Sequence, residues 1–274
     1  MSENCTHNCS TCSKGCGANQ EGSLIKSLLP GASVKKVIAV VSGKGGVGKS
    51  ATCALLAAMS KKKGYTTAVL DADVTGPSLP KMFGVNQKAR GSEAGLLPVR
   101  SPSGIQTMSM NLLLEEDTQP VLWRGSLIAG AAVQFWTDVL WEDVDYMFVD
   151  MPPGTGDVPL SIFQSLPLAG IVVVTTPQDL VKMIVEKALN MADKMNVPVL
   201  GLVENMSYYV CPCCGEKTEI FGQSKAGLFA NEYGMPVARM PIDPTLAALA
   251  DAGKIEEYPN TQALEALFEQ IEKV

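Results

Sequence analysis

The sequence predicts an α/β fold: a mostly parallel sheet covered by helices on both faces, preceded by a cysteine-rich tail. Three observations predict it. Apolar runs at residues 37–41, 67–70, 146–149, 170–176 and 197–203 read as strands buried on both faces. Helix-like segments fall between them, so strand and helix alternate. The first strand runs into a glycine-rich loop and a helix, and two later strands end in aspartate, as expected where ligands sit at the carboxyl ends of parallel strands. Residues 1–34 read as the tail and residues 35–274 as one domain.

The bulk numbers fit. A chain of 274 residues, 46% hydrophobic and 18% charged, holds one large α/β domain or two small ones. The net charge of −6 argues against sequence-independent nucleic-acid binding, which needs a basic surface. No apolar run reaches the roughly 20 residues that span a bilayer. The first residues lack a basic region followed by an apolar one, so no signal peptide is expected and the eight cysteines are expected to be cytoplasmic thiols. On that reading the glycosylation-like Asn4-Cys5-Thr6 and Asn8-Cys9-Ser10 are chance.

In the tail, Cys5, Cys9, Cys12 and Cys16 are spaced C-x₃-C-x₂-C-x₃-C. Four thiolates this close satisfy one tetrahedral Zn²⁺ or one [4Fe–4S] cluster, and the segment has too little apolar content to order itself by a core. The cluster is preferred to zinc. His7 is read as a bystander or a substitute ligand.

The strand at 37–41 leads into Gly43-Lys44-Gly45-Gly46-Val47-Gly48-Lys49-Ser50 and then a helix-like segment at 51–59. Strand, glycine loop and helix form the context in which G-x-x-x-x-G-K-[ST] reads as a P-loop. Its backbone N–H groups and helix N-terminus suit phosphate oxygens; Lys49 would neutralise the terminal phosphates and the Ser50 hydroxyl would ligate Mg²⁺. Cys53, on that helix, reads as a small core residue. Lys61, Lys62 and Lys63 before Gly64 read as a solvated helix end.

The strand at 67–70 ends in Asp71-Ala72-Asp73. Residues 84–120 read as hairpin-like strands or a surface excursion, and a helix-like segment follows Trp123-Arg124-Gly125 through Trp136 and Leu140. The strand at 146–150 ends in Asp150, a Walker B pattern whose aspartate would hold Mg²⁺. The Pro152-Pro153-Gly154 loop after it reads as a switch whose Gly154 N–H senses a γ-phosphate. A helix at about 180–195 separates the last two long strands.

Cys211 and Cys214 form C-x-x-C, with Cys213 inside it. One pair gives two ligands where a tetrahedral centre wants four, so a two-fold dimer with one pair from each subunit is the economical solution. Bridging iron–sulfur is preferred; zinc and a redox pair are the alternatives. The last helix, about 261–273, has core-facing spacing at Leu264, Leu267, Phe268 and Ile271 and acidic residues at Glu265, Glu269 and Glu272.

Lys44 adds a second lysine to the loop, and this form resembles the deviant Walker A motif of the MinD/ParA/nitrogenase-iron-protein class. The resemblance implies that Lys44 reaches across a dimer to the partner's nucleotide. It further implies that Asp73 lies in switch I and orients the attacking water, that Asp71 supports Mg²⁺, and that Asn205 reads the nucleotide base, with a plain turn asparagine as the alternative. Taken together, Lys-Gly-Gly-Val-Gly-Lys-Ser, Asp-Ala-Asp-Val-Thr-Gly-Pro-Ser, Asp-Met-Pro-Pro-Gly-Thr-Gly-Asp and Glu-Asn-Met-Ser-Tyr-Tyr-Val-Cys-Pro-x-Cys-Cys-Gly resemble the Mrp/ApbC-type iron–sulfur cluster carrier ATPases from about Lys35 to the C-terminus. The N-terminal cysteines are similar to, though more compact than, those of the eukaryotic cytosolic scaffold branch. The resemblance implies ATP, Mg²⁺, a [4Fe–4S] cluster bridging a homodimer, and apo iron–sulfur proteins as recipients. Trp123-Arg124 also resembles an element of that family, read as structural or at the dimer contact. The rival readings are a MinD/ParA-like regulatory ATPase, disfavoured by the cysteines and by an acidic C-terminal helix where a basic membrane helix is expected, an electron-transfer ATPase like the nitrogenase iron protein, and a zinc-stabilised NTPase.

Overall fold

A computed structural model describes residues 24–274 except Thr75, Pro77, 116–124, Thr155, 178–180 and Lys225. The calls for a tail metal site at Cys5, Cys9, Cys12 and Cys16, for His7 and for Trp123-Arg124 lie outside the described residues.

Strand and helix alternate over most of the chain, apart from consecutive short strands at 90–108, a hairpin at 199–218 and the two final helices. The elements are β1 (Val34–Val41), α1 (Lys49–Lys62), β2 (Thr67–Asp71), α2 (Leu79–Met82), β3 (Arg90–Ser92), β4 (Gly95–Leu97), β5 (Val99–Arg100) and β6 (Gln106–Met108). They continue with α3 (Gly125–Thr137), β7 (Val144–Asp150), α4 (Asp157–Ser165), β8 (Leu168–Thr175), α5 (Val181–Lys194), β9 (Val199–Val210), β10 (Lys217–Thr218), α6 (Ala226–Tyr233), β11 (Val237–Ile242), α7 (Pro244–Asp251) and α8 (Glu265–Glu272).

Among the described residues one sheet runs β10-β9-β8-β1-β7-β2-β6-β5, with β11 also on β9. The pairs among β6, β2, β7, β1, β8, β9 and β11 are parallel. Only the short β5 and β10 add antiparallel. The strands are apolar on both faces because both are covered. In β1, Val37, Ala39 and Val41 enter one core with Trp136, Phe163 and Val185 of α3, α4 and α5. Ile38 and Val40 enter the other, with Leu55 and Leu56 of α1 and Phe268 and Ile271 of α8. That pleat alternation is what two-sided burial requires.

Three differences from the sequence reading have physical causes. Residues 24–33, read as tail, lie against the domain: Lys26 N donates to the Ser165 carbonyl at 2.8 Å, Trp136 Nε1 donates to the Lys26 carbonyl at 2.8 Å, and Leu28 and Ala32 pack on the core. The helix expected to reach Leu140 stops at Thr137, and Leu140 N instead pairs with the Leu96 carbonyl of the β3–β4 hairpin. Asn205, expected just past a strand end, lies inside β9, which extends through Val210 because β11 continues to pair with it as far as Tyr209.

Candidate functional site

The glycine loop and its neighbours form one cavity of about 250 Å³, lined by Gly45, Gly48, Lys49, Ser50, Asp73 and Pro153 among others. It abuts a second of about 290 Å³ that shares Asp73 and Pro153. The loop's shape follows from its residues. Gly46 and Gly48 have φ of +78° and +83°, which a side chain disfavours. Val47, between them, is buried in the α1-side core and pins the loop. The Ser42 hydroxyl donates to the Lys44 carbonyl at 3.0 Å and closes its start. α1 begins at Lys49 with no side-chain cap and no acidic residue in its first turn, so its N–H groups and positive end are left for an anion.

Lys49 is buried and its ammonium is paired with the Asp150 carboxylate, itself fully buried at the end of β7. Asp150 stands directly across from Asp71 on β2. Burial pushes the Asp150 carboxyl above its ordinary range, against the pull of Lys49 and of a Ser50 hydroxyl bond. Its second oxygen, Oδ2, is buried without a hydrogen-bond partner. Asp71 is raised to about 8, first by burial and then by Asp150. It accepts from Asp73 N and Ser78 N at 3.2 Å each, Leu79 N at 3.4 Å and the Ser109 hydroxyl at 3.2 Å. A buried, unpartnered carboxylate oxygen beside a second carboxylate and a serine hydroxyl is a donor set suited to a hard divalent cation. Mg²⁺ therefore fits at Ser50 and Asp150, with Asp71 behind them.

Of the other expected residues, Asp73 lines both cavities. Lys44 is exposed at the loop's outer face. Gly154, at φ +93°, donates its N–H to the Ser42 carbonyl at 2.9 Å, joining the loop after β7 to the start of the P-loop. Asn205 is buried under the P-loop, its Nδ2 donating to the Val47 carbonyl at 2.9 Å. A Cβ on Gly48 would lie 2.1 Å from that nitrogen, so Gly48 is needed for contact as well as for conformation.

The cysteine pair is not in this cavity. It caps a hairpin at the far end of β9, where Gly215 N donates to the Cys211 carbonyl at 2.8 Å and Cys211 N to the Glu216 carbonyl at 2.9 Å. Cys213 and Cys214 are exposed and Cys211 is half-buried. The backbone N–H groups of Cys214 and then Cys213 bond the Cys211 sulfur and hold its thiol below the ordinary range, favouring the thiolate that binds metal. Among the described residues no three Cys, His, Asp or Glu side chains converge as a metal site, so the turn does not complete one by itself. Cys53, by contrast, is buried and its thiol is pushed well up by desolvation.

The sequence reading missed Ser42 and Ser109, which hold the loop after β7 and Asp71, and a network between β9 and β11 built around Glu204 and Arg239. Glu204 had a visible signal: a carboxylate in the apolar run Gly201-Leu202-Val203.

A family profile described as ParA: NUBPL iron-transfer P-loop NTPase matches residues 33–274. The chain is 43% identical over 271 residues, 95% of this chain and 94% of the relative, to an iron-sulfur cluster carrier protein from Clostridium perfringens. It is 44% identical over 223 residues, 80% of this chain and 71% of the relative, to an iron-sulfur protein required for NADH dehydrogenase, mitochondrial, from Arabidopsis thaliana. Among solved structures, a nucleotide-binding protein in complex with ADP from Archaeoglobus fulgidus superposes with a TM-score of 0.76 at 44% identity, over 85% of this chain and 91% of that one. The Pyrococcus furiosus cell division ATPase MinD superposes at 0.61 and 19% identity over 87% and 98%, which shows the shared fold.

Proposed function

The chain belongs to the ParA family of NUBPL-type iron-transfer P-loop NTPases, and from that premise we propose that it is an ATP-dependent carrier that binds a [4Fe–4S] cluster between two copies of itself and passes it to apo iron–sulfur proteins. The observation that carries the reading is the cysteine turn: half-buried Cys211 and exposed Cys214, with the Cys211 thiol held toward thiolate and half the ligands a cluster needs between them. A second copy supplies the other half.

In this reading the P-loop N–H groups and the α1 N-terminus hold the phosphates of ATP. Lys49 would turn from Asp150 toward the terminal phosphates, and Ser50 and Asp150 would hold Mg²⁺, which would supply positive charge beside the phosphates. Gly154 exchanges the Ser42 carbonyl for a γ-phosphate oxygen. Asp73 orients the water and Lys44 contacts the partner's nucleotide. Asn205 fixes the loop beneath the base. The cytoplasm is the proposed location. No helix among the described residues is long and apolar enough to cross a membrane.

The test is anaerobic reconstitution with iron and sulfide in a background with Cys5, Cys9, Cys12 and Cys16 changed to alanine, so that only the β9 turn is read. The parent takes up a cluster with a brown charge-transfer spectrum, runs as a dimer, and loses the cluster to an apo-acceptor faster with MgATP. Cys211→Ala/Cys214→Ala takes up none. Unchanged iron content in that variant overturns the reading; zinc uptake with no cluster points to the zinc-stabilised alternative.

A further inference from the structure

One strand carries both ends of the molecule's chemistry. β9 holds Asn205 against the P-loop, through the 2.9 Å bond to Val47, and ends at Val210, one residue before Cys211. Between them the strand is not regular. Met206 adopts φ +54°, a left-handed conformation that a residue with a side chain disfavours. From the Arg239↔Glu204 pair to the Pro241↔Tyr208 pair, β9 advances four residues where β11 advances two. The chain thus bulges between the P-loop contact and the cysteine turn.

A polar bracket spans that bulge. Glu204 is 1% exposed, and its Oε2 accepts the Ser207 and Ser224 hydroxyls at 2.6 Å each. Arg239 Nε lies 3.5 Å from the same oxygen and donates to the Ser207 hydroxyl at 2.8 Å. The far end of the guanidinium donates to Glu219 Oε1 at 2.6 Å, beyond β10 in the segment that returns from the cysteine turn, and its face lies over the Tyr208 ring. Arg239 therefore ties the sheet interior on one side of the bulge to the cysteine hairpin on the other. A hydrophobic side chain at 204 would satisfy the core; a buried carboxylate held by serines and an arginine fixes relative position as well.

We infer that Arg239 is a positioning residue that transmits the nucleotide state of the P-loop, through Asn205 and the Met206 bulge, to the geometry of the Cys211–Cys214 turn. This rests on the carrier reading only for what the turn holds. The coupling itself is a property of the fold. A displacement of the Val47 carbonyl on nucleotide binding moves Asn205, the bulge takes up the change in strand direction, and the bracket carries it to the hairpin.

The test reads the turn without any cluster: the rate at which iodoacetamide alkylates Cys211, followed by peptide mass spectrometry, with and without Mg²⁺ and a non-hydrolysable ATP analogue. In the parent the rate changes by about fivefold or more with nucleotide, the lower end of ordinary coupling between sites. In Arg239→Gln the two rates converge. Glu219→Ala cuts the bracket at its half-exposed end, outside both cavities, and gives the same convergence while binding the analogue as the parent does. A nucleotide-dependent rate that survives in both variants, or no nucleotide dependence in the parent, overturns the inference. Cobalt titration of the same proteins, read by thiolate-to-metal absorption, separates the two readings. Coupled alkylation without metal binding leaves the coupling standing and removes the carrier reading; metal binding without coupled alkylation does the reverse.

Discussion

Replacing Lys49 by methionine tests the electrostatics of the buried Lys49–Asp150 pair. Its ammonium is paired with Asp150, whose side chain is 0% exposed while that of Lys49 is 7% exposed. Methionine keeps the aliphatic stem and deletes the charge. The buried carboxylate is then left with the raised carboxyl of Asp71 across the strand pair and no cation. Removing one partner of a buried pair costs about 3–5 kcal/mol, a large part of the roughly 5–15 kcal/mol that holds a domain folded. Asp150 escapes by taking a proton, and the sign of the pH effect follows. Its folded-state carboxyl is already raised by burial and is held down by Lys49, so the substitution raises it further. A raised carboxyl favours folding below its unfolded value and loses that contribution as pH rises. The deficit of the variant therefore grows with pH, by up to about 1.4 kcal/mol per unit, and shrinks on acidification. Urea denaturation of nucleotide-free protein at about pH 5.5 and about pH 8 measures it. The double variant Lys49→Met/Asp150→Asn recovers most of the loss. A single variant within about 1 kcal/mol of the parent, or a deficit equal at both pH values, refutes the reasoning. It would mean that the ammonium does not hold the charge on Asp150.

Gly48→Ala should cost about 2–3 kcal/mol, combining left-handed strain with loss of the Asn205 bond to Val47, and should abolish nucleotide binding measured by calorimetry. Asp73→Ala should bind the ATP analogue normally but hydrolyse ATP about a hundredfold or more slowly, the ordinary contribution of a group that handles the attacking water; a normal rate in a phosphate-release assay removes Asp73 from the mechanism. Gly201→Ala places a Cβ 2.6 Å from Leu267 and 2.7 Å from the Pro236 carbonyl, between β9, α8 and the entry to β11. Overpacking there should lower stability by about 1–3 kcal/mol, read as a shift in the denaturation midpoint, and nucleotide affinity should stay within error.

Much of the molecule was legible in the order of its residues, because its signals are local. Apolar runs at strand length gave β1, β2, β7, β8 and the first half of β9, since a strand buried on both faces needs every side chain apolar. The glycine spacing gave the P-loop, since consecutive N–H groups turn toward one ligand only where side chains do not interfere. The aspartate closing β7 and the C-x-x-C turn were likewise read from neighbours in sequence. What the residues do to one another was not. Lys49 and Asp150 are 101 positions apart, and Asn205 and Val47 are 158 apart. Only the packing of β7 beside β1 and of β9 beneath the loop brings them together. The same holds for Gly154 on Ser42 and for Arg239 on Glu204 and Glu219. The length of β9 was also decided by its partner, because β11 satisfies its backbone past Glu204, where the apolar signal stops. Sequence by itself determined which chemistries are present; tertiary structure decided that phosphate loop and cysteine turn share one strand, because hydrogen bonds and ion pairs depend on distance in space.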